Sequence, residues 1–366
     1  MDTSPPPRGP GRLVARGAAD NPANRFERLH VELDAEALEQ ARLDELDGEE
    51  PSPVPTLYLR DPSRSVLAHN DSPDVGFDTS LNPYRGCEHG CAYCYARPNH
   101  EYLGFSAGLD FETRILVKPD APALLRKALA SKRWQPQVIA MSGVTDPYQP
   151  VERRLRITRG CLEVLAEFRN PVGIITKSAL VERDVDLLAE LARHGAAVVN
   201  VSITSLDDAL RRKLEPRASS PRRRLEAVSR LAAAGVPVGV MVAPVIPGLN
   251  DAEIPAIVAA AAKAGARRAG LIMLRLPYGV APLFESWLER HAPLRRHRVL
   301  ARVREVRGGR INDPGFHTRM RGSGAYAEQI HELFRLACRR VGLASEPIPL
   351  STEAFRAPPE PQLSLW

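Results

Sequence analysis

From Ser80 onward, short β-branched apolar runs alternate with amphipathic helical stretches, and this alternation constrains the fold more than any other feature. Val138–Met141, Val172–Thr176, Ala197–Ile203, Val238–Val242 and Gly270–Leu274 read as strands. Helical periodicity covers Thr158–Arg169, Arg183–His194, Arg222–Ala234 and Asp251–Ala264, and Gly195, Gly235 and Gly265 close three of these. A glycine just past the last turn supplies the left-handed residue that ends a helix. Strand–helix alternation places neighbouring strands parallel, joined by right-handed crossovers. With a first strand near Leu81–Tyr84 the pattern gives about six βα units. The expected fold is α/β, a partial (β/α)6 TIM-type barrel, with its active site at the carboxyl ends of the strands. A doubly wound open sheet fits the same pattern.

The rest of the chain divides around that core. Residues 1–25 are rich in Pro, Gly and Arg without apolar period and read as disordered. Residues 26–79 form an N-terminal extension with a short helical pattern at Ala35–Leu46. Residues 80–280 carry the barrel pattern. Residues 281–343 are helical and arginine-rich and include a helix at Ala325–Val341. Residues 344–366, with prolines at 347, 349, 358, 359 and 361, read as an extended tail.

Composition excludes several classes. Five cysteines, three of them within eight residues, do not make a secreted disulfide framework. Met1–Pro7 has no apolar signal core. Leu231–Asn250 is uncharged, but Gly235, Pro237, Gly239, Pro244, Pro247 and Gly248 would disrupt a spanning helix, so no membrane association is expected and the location is expected to be cytoplasmic. The chain carries 50 basic against 44 acidic residues, and only six of the basic residues are lysine. An arginine-heavy basic surface suits an anionic partner such as nucleic acid. High genomic GC content gives the same bias. Arginines concentrate between Arg290 and Arg310, and His317, Arg319, Arg321, Gly322, Ser323 and Gly324 form a basic, Gly-rich loop that either holds phosphates or merely connects.

The chemistry is concentrated in Cys87-Glu88-His89-Gly90-Cys91-Ala92-Tyr93-Cys94, a C-x₃-C-x₂-C in a loop after a candidate strand. Such spacing lets three sulfurs converge on one centre. Zinc prefers a closed set of four ligands, usually from two separated pairs. The next cysteine, Cys161, lies in a helical pattern, and His89 sits within the same tight loop. A [4Fe-4S] cluster accepts three protein thiolates and leaves one iron open.

Cys87, Cys91 and Cys94, with Tyr93 before the last cysteine, resemble the signature of the radical S-adenosylmethionine (radical SAM) superfamily, over about residues 80–280. Asn82-Pro83-Tyr84-Arg85-Gly86-Cys87 and Tyr93-Cys94-Tyr95 further resemble its spore photoproduct lyase-like branch, also described as DNA repair photolyase-like. The resemblance implies that Cys87, Cys91 and Cys94 hold a [4Fe-4S] cluster, that SAM chelates the open iron, and that one electron breaks its C–S bond to give methionine and a 5′-deoxyadenosyl radical. It also implies an electron donor such as flavodoxin or ferredoxin.

Carried residue by residue, the resemblance offers further site residues. Where the superfamily has a Gly/Glu-type turn for the SAM amino group, this chain has Ser142, Thr145 and Asp146, which an ordinary Asx/Pro turn would also explain. Lys177 and Arg217 are candidates for the SAM carboxylate, although Arg217 also belongs to a basic run with Arg211, Arg212, Lys213, Arg222, Arg223 and Arg224 that reads as solvated. Ser202 and Thr204 match ribose contacts, or cap local backbone. Ile246 and Gly248, in Val245-Ile246-Pro247-Gly248, match the segment that packs on adenine, or form a simple turn. Tyr93 matches an aromatic near the adenine, and Tyr95 a tyrosine that relays a hydrogen atom. The branch's cysteine hydrogen donor has no counterpart here, since Cys161 and Cys338 both lie in helical patterns.

The expected function is therefore a radical SAM enzyme acting on nucleic acid, DNA repair-like and lyase-type. One alternative is a radical SAM enzyme that modifies RNA, protein or a small metabolite. Another is a nucleic-acid-binding protein with a structural Fe–S cluster. Finally, Gln362-Leu363-Ser364-Leu365-Trp366 resembles the short motif by which bacterial repair and replication proteins dock on the DNA polymerase sliding clamp.

Overall fold

The computed structural model describes residues 16–22, 24–26 and 55–357. The expected helix at Ala35–Leu46 and the Gln362–Trp366 motif lie outside the described residues.

The main sheet has seven strands. They are β2 (Leu67–His69), β3 (Thr79–Leu81), β6 (Ile139–Met141), β7 (Val172–Thr176), β8 (Ala197–Ser202), β9 (Val238–Val245) and β10 (Arg268–Met273), in spatial order 10-9-8-7-6-3-2. Every pair from β3 to β10 is parallel, and β2 pairs antiparallel on the edge of β3. Six parallel strands match the expected units, but no pairing closes β10 onto β3 or β2 among the described residues, so the sheet is open. The strands read as unbroken apolar runs because both faces are covered: Val172, Ile174, Val199, Val201, Val238 and Val240 are fully buried.

Crossover helices cover the outer face. They are α1 (Ala121–Leu129), α2 (Ile157–Phe168), α3 (Val185–Ala192), α4 (Asp208–Leu214), α5 (Pro221–Ala233) and α6 (Ile254–Lys263). Their boundaries follow local chemistry. Ser220 caps α5 by accepting from the Arg223 amide at 3.3 Å, with Pro221 at the first helical position. The first turns expected at Arg183 and Asp251 are 3-10 segments, Ala179–Asp184 and Asp251–Glu253.

The expected first strand, Leu81–Tyr84, is a correction. It splits between two sheets. β3 stays in the main sheet, while β4 (Tyr84–Arg85) joins a small sheet with β5 (Arg114–Val117) and β1 (Leu57–Arg60). Pro83 has no amide to continue the ladder, so the chain changes sheets there and its carbonyl accepts from Lys118 N at 3.0 Å.

Beyond β10, α7 (Val280–His291) and α8 (Arg296–Glu305) build a second core around Phe284, Trp287, Leu288 and Val299. This core includes Cys91 and Tyr93, so the C-terminal helices support the cysteine loop directly. The last helix, α9 (Ala325–Val341), packs on α6 through an apolar stripe with Ile330 and Phe334. The tail then crosses the other end of the sheet: Ser351 N donates to Gly195 O, Arg356 N to Phe168 O, and Phe355 packs on Phe168. Among the described residues no helix is long and apolar enough to cross a membrane.

A candidate SAM and iron–sulfur site

The loop after β4 wraps across the carboxyl ends of the strands, and buried bonds fix it. Cys87 N donates to Phe111 O at 2.8 Å and Ala92 N to Leu214 O at 2.9 Å. Glu88 N donates to Gln149 Oε1 at 3.0 Å. Arg97, fully buried, donates through Nε and a terminal nitrogen to Cys91 O, and also to Ala107 O, Gly108 O and the buried Glu112. Glu112 also accepts from the amides of Gly17 and Ala18, so residues 16–20 form an arm strapped to the loop. Gly90 sits at φ +64, and a Cβ there would meet Glu112 Oε2 at 2.6 Å. Glycine is required at this close approach.

Cys87, Cys91 and Cys94 line one cleft with residues at the ends of β6 to β10: Ser142, Asp146, Thr176, Lys177, Ser202, Met241, Ala243, Pro244, Met273, Leu274 and Arg275. The cleft holds about 1000 Å³ of empty space, part of it open to solvent. Among the described residues no group of three His, Cys, Asp or Glu side chains is gathered as around one metal ion. His89, the alternative fourth ligand, turns Nδ1 toward Asp146 Oδ2 at 3.3 Å. Burial raises the pKa of all three cysteines, and Asp146, Cys91 and Cys94 push Cys87 further. Cys87, Cys91 and Cys94 open on one cleft and would hold a cluster as thiolates, whose charge a cationic iron centre would balance. The donor set therefore fits an iron–sulfur cluster.

The polar residues of the cleft divide into committed and free groups. Asp146 is committed. It accepts from Tyr148 N, Thr176 Oγ1 and Lys177 N at 2.9, 2.7 and 2.7 Å, so the Asx-turn alternative describes it. Burial pushes its carboxyl pKa up, but His89 and these donors outweigh burial and hold it low. Lys177 faces the cleft, with Nζ 3.2 Å from Glu215, 3.1 Å from Thr204 Oγ1 and 2.9 Å from Ala243 O. Thr204 and Tyr93 are buried behind it, both donating to Glu215. The Ser142 and Ser202 hydroxyls have no hydrogen-bond partner among the described residues, leaving both available to a ligand.

Four expected cofactor contacts do not line the cleft: Thr204, expected at the ribose, is buried and bonded to Glu215 and Ala243 O, and Arg217, Ile246 and Gly248 lie elsewhere. Arg217 pairs with buried Glu88 at 3.1 Å and helps pin the cysteine loop from outside. Ile246 is buried in the second core, and Gly248 packs near Arg298 and Arg302; Met241, Ala243 and Pro244 of β9 occupy the cleft wall instead. The basic run is not uniformly solvated. Arg224 is 1% exposed and pairs with Glu215, and Arg211 is buried on Asp208 and nearby carbonyls. Arg307 is also buried, donating to Leu274 O and Thr318 O. In the Gly-rich loop, Arg319 pairs with Asp74.

Sequence reasoning passed over Glu215, which holds the anionic centre of this network. Burial alone would raise its pKa, but Arg224 and Lys177, with the Thr204 and Tyr93 hydroxyls, hold it far below the carboxylate range. Its signal was Glu215-Pro216 at the end of the short helix α4, beside Arg217. Arg275 was also missed. It follows β10 at the cleft mouth, its guanidinium 5.5 Å from the Tyr95 ring centroid.

The chain belongs to the radical SAM superfamily, whose sequence model matches residues 81–261. With that membership come the cofactors, a [4Fe-4S] cluster and SAM. An uncharacterized protein of Mycobacterium tuberculosis is 35% identical over 285 residues, 77% of this chain and 80% of that protein. A radical SAM Nα-GlyT isomerase of Pseudomonas phage M6 is 27% identical over 169 residues, 46% of this chain and 33% of that protein. Among solved structures, a spore photoproduct lyase mutant with bound AdoMet and dinucleoside spore photoproduct superposes with a TM-score of 0.53 at 16% identity, covering 80% of this chain and 82% of that one. A second spore photoproduct lyase mutant gives 0.55 at the same identity and coverage. At that identity the likeness is one of fold.

Proposed function

We propose that this chain is a radical SAM enzyme that cleaves SAM reductively and acts on nucleic acid in a DNA repair-like, lyase-type reaction. When bound, the cluster and SAM supply a 5′-deoxyadenosyl radical that abstracts hydrogen from substrate. Cys87, Cys91 and Cys94 hold the cluster. Lys177, anchored by Glu215, offers its ammonium to the SAM carboxylate, and the free Ser142 and Ser202 hydroxyls offer hydrogen bonds to SAM's polar groups. The wall of Met241, Ala243 and Pro244 is apolar and suits the adenine. Tyr93 positions Lys177 through Glu215 and Thr204. Tyr95 stands at the exit, 49% exposed. A phenol, with an ordinary pKa of about 10, keeps its hydrogen at neutral pH, so Tyr95 can relay it. An electron donor such as flavodoxin or ferredoxin supplies the reducing electron.

The observation that carries the nucleic-acid reading is the continuation of the cleft. Tyr95, Gly143 and Arg275 line both the cleft and a wider outer groove. That groove is lined by six Arg and Lys side chains; Arg25, Arg85, Lys118 and Arg319 are paired with Glu101, Asp61 and Asp74, while Arg64 and Arg275 have no carboxylate partner among the described residues, and Asp71 is the one acidic wall residue among them. A cationic surface leading to a radical site suits a phosphate backbone. The spore photoproduct lyase structure, with a dinucleoside bound in the same fold, supports the reading. Anaerobic incubation of reconstituted enzyme with damaged or modified DNA, following nucleoside products by mass spectrometry, tests it. A DNA-dependent product supports the reading, and SAM turnover that no nucleic acid alters refutes it. On the same reading, Gln362–Trp366 docks the enzyme on a sliding clamp.

A further inference from the structure

The outer groove carries more than charge. Its exposed aromatic rings form a second pattern that the reaction at the cluster does not use. Tyr102 and Tyr278 are 70% and 66% exposed, and Phe316 is 53% exposed, all on this one groove. They are not scattered. Tyr102 packs against Phe26 with ring centroids 4.8 Å apart and the planes tilted by 30°, and the Arg25 guanidinium lies 5.0 Å from Phe26 and 3.8 Å over Tyr278. Across the groove, Arg319 lies 4.4 Å over Phe316. Arg25 and Arg319 are held by Glu101 and Asp74, so they brace the rings and do not act as free charges. The free cations are elsewhere. Arg64 has no ion-pair partner among the described residues. Arg275, at the neck, has no carboxylate partner among the described residues; one terminal nitrogen reaches Met320 Sδ at 3.6 Å and its Nε has no partner among them.

Braced, solvent-facing rings interleaved with unpaired guanidinium groups are what an unpaired nucleic-acid strand needs: faces for bases and cations for phosphates. A duplex cannot use the rings, because its bases are already stacked on each other and it presents mainly phosphates. Resting on the nucleic-acid reading above, we infer that the outer groove binds a single-stranded stretch of nucleic acid, with bases stacked on Tyr102, Tyr278 and Phe316 and a phosphodiester held by Arg275 at the neck. The nucleotide beside that phosphate then lies next to Tyr95, at the entrance to the radical site.

The test uses the full chain with its cluster reconstituted. A fluorescent 12-nucleotide strand is titrated by anisotropy, alone and as a duplex, at several salt concentrations. The single strand is expected to bind at least tenfold more tightly than the duplex. Y102A/Y278A is expected to weaken single-strand binding about tenfold or more and to leave duplex binding unchanged, while Y102F/Y278F, which keeps both rings, restores it. R275Q is expected to reduce the slope of log K against log salt by about one phosphate contact. Equal binding of strand and duplex, with Y102A/Y278A unchanged, overturns this inference and leaves the nucleic-acid reading standing. Binding of neither form refutes both.

Discussion

Glu215 is the residue whose loss tests the electrostatics of the site most sharply. It is fully buried, accepts from Tyr93 and Thr204, and is the shared counter-charge of Lys177 and Arg224. Glu215→Gln keeps the shape and removes the charge, leaving two cations against one neutral amide. Removing one partner of a buried pair costs about 3–5 kcal/mol. Two features favour the low end. Lys177 is 17% exposed, so solvent screens part of the loss. Arg224 also keeps the carbonyls of Ser202 and Ser219, both at 2.9 Å. About 3 kcal/mol corresponds to roughly 4 °C in Tm for a chain of 366 residues, whose unfolding entropy is about 0.77 kcal/mol/K. The pH dependence has a definite sign. Because the folded carboxyl is held low, its contribution is complete above the ordinary Glu pKa of about 4.3 and is lost as pH falls through the depressed value. Thermal unfolding of wild type and Glu215→Gln at pH 7 and at successively lower pH therefore shows a gap that narrows in acid. A variant within about 1 °C (roughly 0.8 kcal/mol) of wild type at pH 7 would refute the reasoning. So would a gap that widens in acid.

Three further outcomes are expected. A Cβ on Gly17 would lie 1.7 Å from the Gly90 carbonyl oxygen, so Gly17→Ala must lift the arm from the cysteine loop; the expected result is lower iron content and faster bleaching of the cluster in air, and unchanged values would show that the arm bears no load. Arg307→Ala removes the donors to Leu274 O and Thr318 O and is expected to lower Tm by several degrees without changing the salt slope of nucleic-acid binding; a changed slope would make Arg307 a phosphate contact. A peptide of residues 357–366 is expected to bind a bacterial sliding clamp at micromolar strength, and L365A/W366A to remove that binding; no binding by the full chain would end that reading.

Much of the barrel was legible because its strands and helices carry strong periodic signals. Val172–Thr176 and Ala325–Val341 match the reading residue for residue. The small sheet of β1, β4 and β5 was not legible, because its strands are two to four residues long and pair across long sequence gaps. The cysteine ligands declared themselves by spacing. Lys177 and Ser202 were found at strand ends, where the fold brings side chains together. Arg217, Ile246 and Gly248 were placed by motif alone, and motif cannot say which side of a loop faces the cleft. Arg224 looked solvated because it sits in a run of arginines. Its buried partner, Glu215, precedes it by nine residues and meets it only when α5 packs under β8. Glu112 and Gly17 were invisible for the same reason, being joined across 95 residues.

The central claim is that three cysteines hold a cluster that cleaves SAM. Its direct test is anaerobic reconstitution with iron and sulfide, reduction, addition of SAM, and quantification of 5′-deoxyadenosine. The account predicts about four irons per chain and formation of 5′-deoxyadenosine. Both should be lost in Cys87→Ala, Cys91→Ala and Cys94→Ala, and both retained in Cys161→Ala and Cys338→Ala. A fully loaded cluster that yields no 5′-deoxyadenosine, or a cluster lost on Cys161→Ala, would contradict it.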